Sequence, residues 1–257
     1  MTNKSIGFIG GGRITRIFLD GWRRQGSLPP NIVVSDCNAE TLAKLKARYP
    51  SVETVPQSEA AAQDLVFLSV HLAVMAEVVA RIKGSLKPGA VVVSLAPKFT
   101  TTKLTELLGG FARVARVFPN APSLIGAGFN PVSFAPAMSA SDKAELSGLL
   151  QPLGDCPEVD ESKLEAYAVL SAMGPTYLWF QLQALREVAA GFGLSEVEIA
   201  PALKGMVCGA TRTLLESGLT PAEVMDLIPV KPLADMEAQV AEMYHTRLPS
   251  IYQKIKP

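Results

Sequence analysis

The chain has 257 residues and a mass of 27.3 kDa, enough for one large domain or two modest ones. Hydrophobic residues make up 48% and charged residues 19%, a composition typical of a globular protein, which excludes a disordered chain. Because 24 basic residues balance 24 acidic ones, no overall field draws the protein to nucleic acid. The three cysteines, Cys37, Cys156 and Cys208, form neither a disulfide framework nor a CxxC pair, so we expect no metal site.

The hydropathy pattern predicts neither a secretory signal nor a membrane span. The apolar run after Lys4 is short and is broken by glycines. The longest apolar stretch, 65–82, contains His71, Glu77 and Arg81, and is typical of a buried strand followed by an amphipathic helix. We therefore expect a cytoplasmic protein that does not bind membranes.

Short apolar runs alternate with helical patterns through the first half of the chain. Apolar residues from Ile14 to Trp22 recur on one face of a helix, and Asn38 suits the N-cap of the next helix. The predicted strands are Ile6–Ile9, Ile32–Ser35, Leu65–Val70, Ala90–Leu95, Arg113–Phe118 and Val132–Ala135. Because nearly continuous apolar strands separated by helices are typical of a parallel sheet covered on both faces, we predict a doubly wound, Rossmann-like α/β domain over residues 1–159.

Beyond about Asp160 the strand patterns stop and helical periods continue almost to the end. Ser195–Glu198 and Thr220–Glu223 match capping boxes, the second with Pro221 at the first helical position. We predict a second, all-helical domain over residues 160–257.

The first strand runs directly into a glycine-rich turn that suits a dinucleotide. Gly10 permits the tight turn, and Gly12 lets the backbone approach a pyrophosphate at the N-terminus of the following helix. Thr15 stands where glycine or alanine is usual, so the helix is expected slightly farther from the strand. Arg13 either contacts a phosphate or is solvated.

Asp36 ends the second strand, 26 residues after Gly10. A carboxylate there accepts hydrogen bonds from the ribose hydroxyls of an adenosine and repels a 2′-phosphate, unless it merely starts the following turn. The sequence therefore predicts NAD(P)H as cofactor, with a preference for NADH.

Three segments, Ile6–Gly12, Val117–Gly126 and Leu170–Tyr177, together resemble the pyrroline-5-carboxylate reductases, and 159–162 is similar too. These enzymes pair a Rossmann domain with a helical dimerisation domain and reduce a cyclic imine to proline. The resemblance runs along almost the whole chain. It implies an oxidoreductase that acts on a small imine or keto substrate and forms a homodimer through its helical domain.

The resemblance also implies roles for residues at strand ends and at a break in a long helix. The residues that it and the glycine turn place against the cofactor are Gly10, Gly12, Arg13, Ile14, Asp36, Ser69, Val70, His71, Ala96, Pro97 and Asn120. The residues that it places near the substrate are Gly174 and Pro175.

The chain departs from the family pattern where the substrate would bind. His71-Leu72 replaces the usual Lys-Pro, and Pro97-Lys98 replaces Ala-Gly. The Ser-Pro-Gly-Gly-Thr-Thr loop, which supplies hydrogen-bond donors for the substrate carboxylate, is absent. Residues 228–233, which include Lys231, stand in its place.

Hydride transfer requires mainly that the nicotinamide C4 faces an electrophilic carbon, although a ketone would also need a proton donor. Thr176 and Tyr177 could donate a proton or orient the substrate, while Tyr177 also fits a core position. His71 could be a general acid near neutral pH or a structural contact. Lys231 could bind a substrate carboxylate or be a solvated loop residue.

Three functions stay open at this point. The first is an imine reductase of the pyrroline-5-carboxylate type. The second is a β-hydroxyacid or prephenate type of dehydrogenase that oxidises an alcohol. The third is a non-catalytic nucleotide-binding dimer, which would bind the cofactor tightly without turning over any imine.

Overall fold

The computed structural model describes residues 4–257, and its elements alternate as the sequence predicts. The strands are β1 (Ile6–Ile9), β2 (Ile32–Ser35), β3 (Glu53–Thr54), β4 (Leu65–Leu68), β5 (Val91–Ser94), β6 (Val114–Val117), β7 (Gly128–Phe129), β8 (Val132–Phe134) and β9 (Gly154–Asp155). The helices are α1 (Arg13–Arg24), α2 (Ala39–Arg48), α3 (Gln57–Ala61), α4 (Met75–Ile82), α5 (Thr101–Leu107), α6 (Ala140–Leu150), α7 (Leu164–Tyr167), α8 (Pro175–Gly191), α9 (Glu196–Glu216), α10 (Pro221–Asp226) and α11 (Ala234–Ile255).

The main sheet has seven strands in the order β3-β2-β1-β4-β5-β6-β8. Every residue of β1, β4, β5 and β6 is buried, as expected for strands covered on both faces. Six strands are parallel, which confirms the Rossmann-like α/β prediction, but β8 runs antiparallel to β6. Because the chain order reverses between β1 and β4, their carboxyl ends border the crevice where ligands bind in such sheets.

A cluster of aromatic rings fixes α1 to the sheet. Phe8 of β1 stacks on Phe67 of β4 with 4.8 Å between ring centroids, and Phe18 and Trp22 of α1 pack edge-on around them. All four side chains are fully buried. The helix that follows the glycine turn is therefore held rigidly, with its N-terminus at the carboxyl end of β1.

The chain divides into two compact units. The first comprises the residues up to Met173 together with Ile251–Pro257, and the second comprises Gly174–Ser250. The predicted division between residues 159 and 160 falls inside the first unit, because Leu164 and Ala168 pack against Phe118 at the end of β6. Ala168 also begins a five-residue π-helical segment, 168–172, that precedes the second unit.

The second unit is helical throughout its regular structure. Both predicted capping boxes are present, because Glu198 accepts from the backbone N–H of Ser195 at 2.8 Å and Glu223 accepts from that of Thr220 at 2.7 Å. The assignment of this unit to dimerisation stays a prediction. Within residues 4–257, no helix combines the length and the apolar character that crossing a bilayer requires.

Candidate functional site

Gly10 and Gly12 form the turn between β1 and α1, and each needs glycine for a different reason. Gly10 has a φ of +106°, and a Cβ there would lie 2.5 Å from the carbonyl oxygen of Ser69. Gly10 is therefore required by the fold. Gly12 has a negative φ, and apart from Gly12 and its two chain neighbours no protein atom lies within 4 Å of the place where its Cβ would be. The fold therefore leaves room beside Gly12 that a ligand could occupy.

Thr15 lies in the first turn of α1 and is completely buried. Its hydroxyl donates a hydrogen bond to the carbonyl oxygen of Gly10, so the larger side chain is accommodated with its polar atom satisfied. This bond ties the tight turn to the helix that follows it.

A cavity of about 440 Å³ opens at the glycine turn, which is within the usual size range of a ligand pocket. Its lining residues are Gly11, Gly12, Arg13, Ile14, Arg16, Thr41, Lys44, Ser69, Val70, His71 and Leu95. Three of these are cationic, and none of these described residues carries a carboxylate. Together with the free N–H groups at the start of α1, this charge suits a pyrophosphate.

Arg16, Thr41 and Lys44 were not predicted as site residues. Arg16 follows Arg13 by three residues, so both guanidinium groups lie on one side of α1. Thr41 and Lys44 come from α2, and only the packing of α2 beside α1 brings them to the cavity. The spacing of the arginines is thus the one signal in the sequence that could have found part of this set.

A second cavity of about 480 Å³ lies beside the end of β2. Asp36 lines it, together with apolar side chains that include Val55, Val70, Val74 and Val78. Apolar walls suit an adenine ring, and a carboxylate at the strand end suits its ribose. One cavity therefore has the lining that suits an adenosine and the other the lining that suits a pyrophosphate.

Asp36 is half-buried and already holds two backbone groups. Its Oδ2 accepts from the N–H of Gly11 at 2.7 Å, and its Oδ1 accepts from the N–H of Asn38 at 2.8 Å. Each carboxylate oxygen offers about two lone-pair sites, so Asp36 retains acceptors for ribose hydroxyls.

Asn120 lies just after β6 and is nearly buried. Its side-chain Nδ2 donates to the carbonyl of Ser171 at 3.2 Å, and its Oδ1 accepts from the N–H of Phe129 at 3.2 Å. These bonds connect the end of β6 to β7 and to the π-helical segment. The structure thus gives the Asn120 amide a positioning role, and its contact with the cofactor stays a prediction.

Comparison with known proteins identifies the family. A family described as coenzyme F420-dependent NADP oxidoreductases matches residues 5–98. The pyrroline-5-carboxylate reductase of Corynebacterium melassecola is 31% identical over 224 residues, which cover 86% of this chain and 83% of that relative. The chain belongs to the pyrroline-5-carboxylate reductase family.

Solved structures of pyrroline-5-carboxylate reductases match the fold over nearly its whole length. The enzyme of Coxiella burnetii is 26% identical with a TM-score of 0.70, covering 99% of this chain and 95% of its own. The enzyme of Plasmodium falciparum, crystallised with NADP bound, is 18% identical with a TM-score of 0.76 and the same coverage. The chain is therefore an NAD(P)-dependent oxidoreductase, as predicted.

Lys98 stands at a position where the resemblance to the pyrroline-5-carboxylate reductases leads us to expect glycine. Among residues 4–257, Lys98 is the one non-glycine residue with a positive φ, at 69°. A side chain in this conformation costs about 1–2 kcal/mol. The backbone of the loop after β5 thus has a conformation that favours glycine although the residue is lysine.

A buried ionic cluster holds that loop. Arg116, on β6, is fully buried and pairs with Glu165 and, at 3.1 Å, with Glu161. Glu165 accepts from the N–H of Lys98 at 3.3 Å, and Glu161 accepts from the N–H of Thr101 at 2.6 Å. No local pattern in the sequence reveals this cluster, because Arg116 stands in a run that otherwise predicts an apolar strand.

The residues predicted for catalysis fall in different parts of the chain. His71 lies in the first unit, is exposed and lines the pyrophosphate cavity with Ser69 and Val70. Thr176 lies in the first turn of α8, behind Pro175 at the first helical position and Gly174 at the N-cap. Lys231 is exposed in the segment between α10 and α11.

Ala96 and Pro97 follow directly after Leu95, which lines the pyrophosphate cavity. Ala96 is buried and Pro97 half-buried, so the backbone past β5 is fixed at the carboxyl edge of the sheet. Their contacts with the cofactor stay predictions. Among the described residues, no group of three or more His, Cys, Asp or Glu side chains is arranged to hold a metal ion.

Proposed function

We propose that the protein is an imine reductase that converts pyrroline-5-carboxylate, or a related small cyclic imine, to the corresponding amine. Membership of the pyrroline-5-carboxylate reductase family supports the reaction. The single observation that carries cofactor binding is the open space above Gly12, which lies in a cationic cavity at the N-terminus of α1.

The residues of this chain bind and orient the reactants in the proposed reaction. A dihydronicotinamide held at the glycine turn would supply the hydride that converts a protonated C=N bond to a neutral amine. Because that imine is already activated, the protein needs geometry more than a strong acid. His71, beside the pyrophosphate cavity, and Thr176, at the start of α8, are the proposed groups that orient the imine nitrogen or supply its proton.

Gly174, Pro175 and Lys231 are the further residues of the second unit that are proposed to contact the substrate. Lys231 is the proposed partner of the substrate carboxylate, because it stands in the segment that replaces the donor loop of the family. Lys231→Met is expected to raise the KM for pyrroline-5-carboxylate at least several-fold while the Kd for NADH stays within twofold. An unchanged KM would remove Lys231 from the site.

NADH is the proposed preferred cofactor. Asp36 lines the adenosine cavity, where its negative charge would oppose a 2′-phosphate. Arg13 is the proposed phosphate contact from the first turn of α1. The preference for NADH over NADPH is tested by measuring kcat/KM with each cofactor at fixed ionic strength.

The assay follows the absorbance of NADH with pyrroline-5-carboxylate, and the reverse reaction with L-proline at high pH. Turnover in the forward direction is the expected result. Cofactor binding without turnover of any imine would instead make the protein a nucleotide-binding dimer. Turnover of a hydroxy acid alone would make it a dehydrogenase of the β-hydroxyacid or prephenate type.

A homodimer through the helical unit is also proposed. The second unit leaves large apolar side chains exposed on the single chain, including Phe180 at 69%, Phe192 at 81% and Leu215 at 75%. An apolar surface of this kind is typical of an obligate interface. Sedimentation is expected to give a dimer that Phe180→Glu weakens, and a wild-type monomer at micromolar concentration would refute it.

A cytoplasmic location is proposed as well. Cys37, Cys156 and Cys208 are all unpaired thiols, which fits a reducing compartment. Fractionation of cells that express the protein is expected to recover it with cytoplasmic markers.

A further inference from the structure

Lys98 occupies a backbone conformation that favours glycine, and its surroundings enforce it. Its φ is 69°. Its N–H donates to Oε1 of Glu165 at 3.3 Å, and Glu165 is only 1% exposed. Three residues later, both the N–H and the hydroxyl of Thr101 donate to Glu161, at 2.6 and 2.8 Å. Arg116 joins the two carboxylates, so the loop between Lys98 and Thr101 is clamped at both ends.

The ammonium group of Lys98 carries a charge that no ion pair within residues 4–257 neutralises. It is exposed, and no carboxylate in the described part of the chain forms an ion pair with its ammonium group. A strained residue persists when the structure around it over-determines it, and such residues cluster at ligand sites. Lys98 is therefore a cation at a fixed backbone position whose charge is available to a ligand with negative charge.

The position of Lys98 in the sheet separates it from the cofactor phosphates. Lys98 follows β5, which lies two strands from β1, or about 10 Å at the usual strand spacing. Asp36, at the end of β2, lies on the opposite side of β1 and marks the adenosine half. Leu95, three residues before Lys98, lines the cavity at the glycine turn, so Lys98 follows the β5 side of that cavity. Because a dinucleotide spans both halves of such a sheet, the β5 side is the one expected to face the nicotinamide, where the substrate meets the cofactor.

We propose that Lys98 binds the carboxylate of the substrate and so positions the imine over the nicotinamide. This inference rests on the proposed function and adds, in the cofactor-binding unit, a cation for the substrate carboxylate whose role does not depend on Lys231 and is tested by its own variants. An ammonium group is a compact point charge with three donors. It can therefore bind a carboxylate while the imine carbon of the same substrate is oriented toward the hydride donor. The residues that hold Lys98 in place, Glu161, Glu165 and Arg116, all belong to the first unit.

The test compares variants that keep the backbone and change only the charge. Lys98→Gly and Lys98→Asn both tolerate a positive φ, and Lys98→Arg keeps a cation. Lys103→Met, which removes an exposed cation from α5, is the matched control. The measurements are the KM for pyrroline-5-carboxylate, the Kd for NADH by fluorescence, and Tm. L-proline and pyrrolidine, which differ by the carboxylate, serve as binding probes of the NAD⁺-loaded protein.

Lys98→Gly is expected to raise the KM at least tenfold and to weaken L-proline binding as strongly, with no effect on pyrrolidine. Its Tm should stay equal or rise, since glycine relieves the strain, and its Kd for NADH should stay within twofold. Lys98→Arg should recover most of the loss, and Lys103→Met should resemble the wild type. An unchanged KM and unchanged L-proline binding would overturn the inference, as would a weakened Kd for NADH with an unchanged KM.

Failure of the proposed function has a different signature. It would appear as wild-type protein that binds NADH but turns over no pyrroline-5-carboxylate. In that case the L-proline probe still decides the inference. Binding that Lys98→Gly weakens tenfold supports a carboxylate site, and no binding to the wild type overturns it.

Discussion

The carboxylate of Asp36 accepts a hydrogen bond from the backbone N–H of Gly11, with 2.7 Å between Oδ2 and N. This bond connects the end of β2 to the glycine turn after β1, so the residue proposed to select the cofactor also shapes the turn. A second bond, from the N–H of Asn38, fixes the other carboxylate oxygen. The charge of Asp36 is therefore held in one place, which is what discrimination against a 2′-phosphate requires.

Asp36→Asn is expected to reduce the ratio of kcat/KM for NADH to that for NADPH by about tenfold, equivalent to about 1.4 kcal/mol. The change removes the charge that repels a phosphate. It also replaces one acceptor with an NH2 group, so stability should fall by about 1 kcal/mol. Glu53→Gln, an exposed change on β3, is the control and should leave both quantities unaltered. An unchanged cofactor ratio in Asp36→Asn would show that this carboxylate does not select the cofactor.

Gly12→Ala and Gly10→Ala should separate cofactor binding from folding. The Cβ that Gly12→Ala adds meets no protein atom, so Tm should change little, but it would occupy the space of the pyrophosphate and weaken NADH binding at least tenfold. Gly10→Ala would bring a Cβ to 2.5 Å from the carbonyl oxygen of Ser69, so it should lower Tm strongly. Gly84→Ala, also in open space, is the control. Thermal unfolding and NADH fluorescence give both results, and full affinity in Gly12→Ala would contradict the site.

The elements that can be predicted from the sequence are those whose structure is decided by a local pattern. The strands from β1 to β6 with the exception of β3, the N-cap at Asn38 and the two capping boxes depend on residues within one turn or one strand. The strands β3, β7 and β9 have two residues each, which is too short for a periodic pattern. The antiparallel direction of β8 depends on how the chain returns to the edge of the sheet, which no local pattern determines.

The residues of the candidate site also fall into those that a local pattern predicts and those that only tertiary packing brings together. The sequence predicts three site residues from local patterns. Gly10 and Gly12 stand in the glycine turn that follows the first strand, and Asp36 stands at the end of the second strand. The contribution of Lys44 depends on helix packing, and the bond between Arg116 and Glu165 joins residues 49 positions apart. The positive φ of Lys98 is invisible in a sequence, because lysine does not favour it.

Asp64 should contribute to the acid sensitivity of the fold. Hydrogen bonds from Lys87 and from the backbone N–H of Ser5 lower the pKa of Asp64 from 3.8 to about 2. The folded state therefore binds fewer protons than the unfolded state between these values. This stabilisation is complete above about pH 4 and is lost as the pH falls toward 2.

Asp64→Asn is accordingly expected to be less stable than the wild type at pH 7, with a difference that shrinks as the pH falls from 4 to 2. Urea midpoints measured at pH 7, 4, 3 and 2.5 give the comparison. Lys87→Met, which removes the first cause of the shift, should give a smaller difference with the same trend. Parallel curves for Asp64→Asn and the wild type down to pH 2.5 would contradict the assignment.

Removing only one partner of the ion pair between Arg116 and Glu165 should lower the free energy of unfolding strongly. Both side chains are almost fully buried, and Arg116 also lies 5.3 Å from the ring centroid of Phe118. Arg116→Met leaves a buried carboxylate without its main partner, so the free energy of unfolding should fall by about 3–5 kcal/mol. The double change with Glu165→Met removes both charges and should recover most of that loss. Lys44→Met, which breaks an exposed pair with Glu40 in the protein without cofactor, should cost less than about 1 kcal/mol. Urea unfolding measures all three variants, and a double variant no more stable than Arg116→Met would show that the cluster stabilises the loop at Lys98 through hydrogen bonds rather than through charge pairing.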